Sequence, residues 1–309
     1  MNAIEIWVGT VMLLQMSIGI SENVFLLLFY IHLTSSSPWL NSSDLILTHL
    51  TLANTTVFLT KGILDTLSGW GWRIFLGDMG CKTLLYLYRV ARGLTICSTC
   101  LLSIFQAVTI SPRTPRWARI KARFPNSVVP FCLLSWVLNL MIYVSVPIGV
   151  RSAQNSSTVS ISLDLKYCSA VIGGTKTALV ISAVISLQDL FFMVLMSIAS
   201  GYMVWVLHRY HQQVQHLRTS GRSPRMMPEV RAAKRVMALV TLFILHYGRQ
   251  SIMLSILINV KEKPALLVNS HLVLSFTFSV ISPFLMISGD RRMRRFWKTQ
   301  SPVSNMGPS

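Results

Sequence analysis

Seven apolar stretches run at approximately 6–32, 44–66, 80–109, 128–150, 177–207, 232–258 and 266–288. Each is long enough to cross a bilayer, which takes roughly 20 residues in a helix. In hydrocarbon every backbone N–H and C=O must be satisfied within the protein, so apolar runs of this length are helices. The predicted fold is therefore an all-α membrane protein, a seven-transmembrane helix bundle forming one domain over 1–309. Short polar connectors such as "TSSSPWLNSS" and "TSGRSPRMMPE" join the spans, and 289–309 is a tail. The second stretch is the least apolar, because threonine recurs through "LILTHLTLANTTVFLTKGI". Composition agrees. The chain is 52% hydrophobic and 12% charged, where a soluble domain carries roughly 25% charged residues. "MNAIE" has no basic segment, so the first stretch is expected to act as an uncleaved signal-anchor.

Lys and Arg number 28 against 10 Asp and Glu, a formal net charge of +18. In a soluble protein that excess would suggest nucleic acid. Here its position decides. The 3–4 connector holds Arg113, Arg116, Arg119, Lys121 and Arg123. The 5–6 connector and its flanks run basic from Arg209 through Arg222 to Arg235, and the tail holds Arg291, Arg292, Arg294, Arg295 and Lys298. The opposite connectors hold only Arg73, Arg151, Lys166, Lys176, Lys261 and Lys263. Cytoplasmic loops collect Lys and Arg, which puts the C-terminus in the cytosol and the N-terminus outside. No nucleic-acid partner is expected. Acidic lipid headgroups and an acidic cytosolic partner could both use the basic face. Within the tail, Met293, Phe296 and Trp297 share one helical face among cations, the pattern of a short interfacial helix.

Two features agree with this orientation. Asn155-Ser156-Ser157 is a glycosylation sequon in the 4–5 connector, on the outer side. The sequons at Asn41 and Asn54 fall in a cytosolic connector and a span, and neither is expected to be used. Cys81, at the outer end of span three, and Cys168, in the 4–5 connector, both face the oxidising side, where disulfides persist. Cys97, Cys100 and Cys132 fall inside spans and read as small packing residues.

Charges within spans are costly, turn to the bundle interior and default to function. "LLYLYRVARGLTICSTCLLSIFQ" carries Arg89 and Arg92. At the helical rise per residue, Arg89 lies about 12 Å and Arg92 about 16 Å below Cys81. Asp189 lies about 18 Å below the start of span five, and Arg249 about 14 Å below the end of span six. Tyr86, Tyr247 and Gln250 fall near the same level. For any single residue the plain reading is an ion pair, Asp189 with Arg249 or Arg92, that only fixes packing. The set says more, since several arginines share one aspartate and the surplus charge needs water, a carbonyl or a ligand acceptor. A ligand cavity lined by Tyr86, Arg89, Arg92, Asp189, Tyr247, Arg249 and Gln250 is expected, preferring acceptor-rich or anionic ligands. Lys61 and Asp65, four apart, read as a pair at the membrane interface.

The segments "GCKTLLYLYRVARGLTICSTCLLSIFQAVTISPRTPRWARIK", "LLSWVLNLMIYVSVP" and "FTFSVISPFLMISGDRRMRRFW" resemble the vomeronasal type-1 (pheromone) receptors, a family of G-protein-coupled receptors. The resemblance covers nearly all of 6–297. It implies a disulfide from Cys81 to Cys168, a small pheromone-like ligand, and coupling to a Gi/Go-class heterotrimeric G protein at the plasma membrane. The basic cytosolic face, chiefly Arg113 to Arg123 and Arg222 to Arg235, is the expected G-protein contact. Three positions depart from the wider receptor class. Phe105-Gln106-Ala107 stands where Asp-Arg-Tyr is usual, span six lacks Cys-Trp-x-Pro, and Ser282-Pro283 stands where Asn-Pro begins span seven's usual motif. Within the family, Glu22 beside Asn23 is unusual, since a carboxylate there is costly.

No Ser-His-Asp set, paired-carboxylate site, HExxH or phosphate loop occurs, so the chain reads as no enzyme, with neither metal nor cofactor. His208, His211 and His216 share no defensible ligand geometry. Two rivals are a bitter-taste-type receptor, against which the Cys81/Cys168 pair argues, and a small transporter or channel. The latter needs a continuous polar path, whereas the polar residues thin out toward the cytosolic ends.

Overall fold

A computed structural model of the chain describes residues 3–36, 42–70, 78–112, 114–145, 150–152, 163–165, 168–170, 175–218, 228–259 and 265–287. The tail with its expected interfacial helix, Asn155, Arg113, and Arg222 and Arg225 lie outside them. Seven helical columns run through the described residues. Span one is Ala3–Ser36. Span two is Ser42–Val57, continued through a π turn at Phe58–Gly62 into Ile63–Gly69. Spans three, four, five and six are Asp78–Ile110, Pro115–Ile142, Thr175–Arg218 and Pro228–Asn259. Span seven is Ala265–Leu274, then a break, then Thr277–Ile287.

Among the described residues, five helices are long and apolar enough to cross a membrane: Ala3–Leu33, Met79–Ile110, Pro115–Ile142, Ala183–Gln212 and Leu267–Ile287. Span two is threonine-rich and broken by its π turn, and span six carries His246, Arg249 and Gln250 in its apolar run. Span two's hydroxyls are satisfied locally. Thr48, Thr51, Thr55, Thr56 and Thr60 each donate to the carbonyl four residues back, at 2.7–3.1 Å. A hydroxyl closed on its own helix needs no water, which makes such a helix compatible with a bilayer.

Span three is the hub. It packs against spans two, four, five and six, and 67% of its apolar window is buried against 11% of span four's. The main core joins Tyr30, Leu50, Leu102, Met196, Met203, Phe243 and Phe278. Phe243 stacks on Tyr247 at 4.2 Å and meets Phe278 edge-on at 4.9 Å. The outward faces are apolar. Leu14, Leu28, Leu133, Phe191, Ile198 and Leu245 are all exposed, as expected where lipid is the solvent.

Span three approaches span four closely at Gly93. A Cβ added there would overlap Asn139 Oδ1 and lie 2.7 Å from its Cγ and 3.1 Å from Tyr143 Cε2. Asn139 cannot swing away freely. Its amide donates to Ser135 O at 2.7 Å and its oxygen accepts from Gln188 of span five at 3.0 Å. Gly93→Val is expected to lower correctly folded receptor at the cell surface several-fold, by about 1–3 kcal/mol of overpacking. Surface immunostaining against total protein measures it.

The all-α class stands, and the 4–5 connector adds a small antiparallel sheet of β1 (Val150–Ser152), β2 (Leu163–Leu165) and β3 (Cys168–Ala170), in the order β1-β3-β2. Ser152 pairs with Cys168, and Val150 and Leu163 both pair with Ala170. Three-residue strands are too short to show an alternating pattern, so nothing in the sequence announced them. β1 packs against span three.

The 3–4 connector is also shorter than its basic run suggested. Arg116, Arg119, Lys121 and Arg123 sit on the first turns of span four's helix, three of them exposed, and Lys121 Nζ donates to Ser111 O at 2.7 Å.

Candidate ligand site

Helical rise alone put Arg89, Arg92, Asp189 and Arg249 at one level. Arg92 Nη2 donates to Asp189 Oδ2 at 2.6 Å, joining spans three and five, and both side chains are 19% exposed. The Arg92 guanidinium also lies 5.0 Å from the ring centroid of Tyr247 on span six, a cation–π contact. The pair is single-bonded. Arg92 Nη1 and Asp189 Oδ1 are buried without a hydrogen-bond partner. A buried polar atom left unpaired costs about 1–3 kcal/mol, so these two mark a place that favours an added acceptor and an added donor.

The other residues of the set diverge. Arg249 Nη2 donates to Leu274 O at 2.7 Å, and Gln250 Nε2 to Ser275 O at 3.4 Å. Both acceptors lie at the break in span seven, where the helical ladder is interrupted. Arg249 thus meets a carbonyl, not Asp189. Tyr86 turns toward span four and donates to Leu140 O at 3.1 Å. Arg89 is half-buried and makes no ion pair with a described residue.

Lys61 and Asp65 do pair, as their spacing suggested. They are not at a water interface, because Asp65 is 1% exposed and the Lys61 side chain 14%. The π turn carries Lys61 inward, 5.6 Å from the Tyr88 ring centroid and 5.4 Å from that of Phe276.

A neutral polar network went unseen in the sequence. Asn23 Nδ2 donates to Ser279 O at 3.0 Å, and Asn54 Nδ2 to Ser282 Oγ at 3.1 Å. Asn54 Oδ1 accepts from Thr95 at 3.4 Å and from Ser279 at 3.3 Å. Asn23, Asn54 and Ser282 are completely buried, and the bonds tie spans one, two, three and seven. The available signal was an amide or hydroxyl in the interior of each of four apolar spans. Glu22, next to Asn23, has Oε2 buried with no hydrogen-bond partner.

Cys97 and Cys100, three apart on span three, and Cys132 are free thiols. Cys81 is fully buried at the head of span three, and β1, beside Cys168's strand, packs on that helix.

Seven helical columns with apolar outward surfaces, packed around a polar interior that several columns supply, define a multi-pass helical membrane protein. The model of the vomeronasal organ pheromone receptor family matches residues 6–299, and the chain belongs to this family. It is 36% identical to the human vomeronasal type-1 receptor 4 over 92% of this chain and 95% of that one. It is 36% identical to the human vomeronasal type-1 receptor 3, over 93% and 92%. It is 32% identical to the zebrafish (Danio rerio) olfactory receptor class A-like protein 1, over 93% and 90%. The protein is a chemosensory G-protein-coupled receptor and not an enzyme.

Proposed function

We propose that this chain is a plasma-membrane pheromone receptor that binds a small molecule in the outer half of the bundle and activates a Gi/Go-class G protein. The observation that carries the reading is the half-satisfied pair of Arg92 and Asp189, whose buried free lobes lie between three spans beside Tyr247. With Arg89 close by on the same helix, the local charge is positive, so the ligand is acceptor-rich or anionic. Binding there shifts the equilibrium between helix arrangements. With the N-terminus outside and the C-terminus in the cytosol, the basic set Arg113, Arg116, Arg119, Lys121 and Arg123 meets the G protein. Cys81 bonds to Cys168 and holds the 4–5 connector over the cavity, Asn155 carries a glycan at its rim, and the whole of 1–309 acts as one domain.

Arg89→Leu is the test of the cavity. Agonist potency should fall about tenfold or more, the worth of one charge-assisted hydrogen bond, with surface expression unchanged. Unchanged potency removes Arg89 from the site. Cys168→Ser should abolish surface expression or response, while Cys132→Ser does neither. Neutralising the 113–123 set should lower nucleotide exchange without inverting the topology, and exchange that survives makes these residues topological only. The 2.6 Å contact also favours a second reading, in which Arg92 and Asp189 only fix packing. Under it, changes at Asp189 alter expression and leave potency alone.

A further inference from the structure

The π turn of span two and the break of span seven touch. Phe58, in the turn, stacks on Phe276, in the break, with ring centroids 5.6 Å apart. Irregular backbone at membrane depth persists only where protein or a water-filled cavity covers its polar groups, and π turns recur at functional sites. Between these two irregularities sits the Lys61 ammonium, with Tyr88 and Phe276 as its aromatic neighbours. Arg89, next to Tyr88 in sequence, is half-buried and makes no ion pair with a described residue. Among the described residues Asp65 is the acid bonded to Lys61, and ring faces attract cations without neutralising them. Counted over the described Lys61, Asp65 and Arg89, the charge beside the rings of Tyr88 and Phe276 is positive.

We infer that Lys61 is the anion-recognition point of the ligand site, taking the negatively charged group of a small molecule whose apolar body packs on Tyr88 and Phe276. The inference rests on the ligand cavity proposed above and names its charged end. It assigns that end to Lys61, the cation that stands beside the Tyr88 and Phe276 rings. Asp65 holds the ammonium between the two rings until a ligand anion shares it.

Cysteine accessibility in the full-length receptor, in intact cells, tests this. Tyr88→Cys is treated from outside with 2-sulfonatoethyl methanethiosulfonate, which is anionic, or its trimethylammonioethyl analogue, which is cationic. Rates are normalised to those of a free small thiol, and the unsubstituted receptor supplies the background of Cys97, Cys100 and Cys132. The anionic reagent should react about tenfold faster, as expected for a cleft lined by one sign of charge. Adding Lys61→Met should remove that preference. Phe276→Cys serves as reporter should Tyr88→Cys fail to reach the surface. Reaction with no anionic preference, or a preference that survives Lys61→Met, overturns the inference. If Arg89→Cys reacts while cysteines at 88 and 276 do not, the outer cavity stands and Lys61's role in it falls. If none of the three reacts, the cavity reading beneath it falls as well.

Discussion

Asp189→Leu is expected to destabilise the receptor by about 3 kcal/mol, because it leaves the Arg92 guanidinium inside the bundle with no acid. The two charges are mostly buried and meet at 2.6 Å between spans three and five. Breaking such a pair costs more than the pair contributes, since one desolvated charge remains. Arg92→Leu is expected to cost less than Asp189→Leu. An arginine left without its acid stays charged. The double variant Arg92→Leu/Asp189→Leu should recover most of the loss, because neither charge is then buried alone. Thermal inactivation of detergent-solubilised receptor, run as a double-mutant cycle, measures the coupling. A loss in the double variant equal to the sum of the two single losses would mean that the pair carries no coupling.

Asn54→Leu is expected to cost about 2–4 kcal/mol, from one lost donor and two hydroxyls deprived of an acceptor. Thr95 keeps its bond to Ala91 O, so the larger penalty falls at Ser279 and Ser282. The effect should exceed that of Asn41→Gln, a position in the 1–2 connector. The contrast is informative because both asparagines sit in N-x-S/T sequons. At Asn54 the amide is enclosed by spans three and seven and has no access to a glycosyltransferase. Thermal inactivation ranks the two variants, and a gel shift on deglycosylation should respond to Asn155→Gln and not to Asn54→Gln.

What could be read from the sequence divides along physical lines. Runs of about 20 apolar residues fix helices because lipid leaves the backbone no other partner, so the columns were legible even for threonine-rich span two. The Arg92–Asp189 level was legible because helical rise is constant. Which arginine would meet Asp189 was not, since that depends on rotation about each helix axis. The partner of Arg249 was hidden for a different reason. Its acceptor is a backbone carbonyl at a break within "LVLSFTF", which holds neither proline nor glycine to mark it. Lys61 and Asp65 were legible as a pair from their spacing. Their burial was not, because the π turn that holds Lys61 inserts about one residue, roughly 100° of rotation, that packing and not composition imposes. The Asn54 network was missed because single Asn and Ser residues in apolar runs are common, and only the fold brings four of them together.

The central claim is that this chain converts binding of a small molecule into G-protein activation. Ligand-stimulated nucleotide exchange on purified Gi/Go heterotrimer tests it most directly, using membranes that contain the full chain and a screen of small anionic molecules with their neutral counterparts. The account predicts saturable stimulation by anionic members of the set, reduced about tenfold in potency by Arg89→Leu at equal surface expression. No stimulated exchange across the screen, together with solute flux through vesicles bearing the chain, would contradict it and favour a transporter.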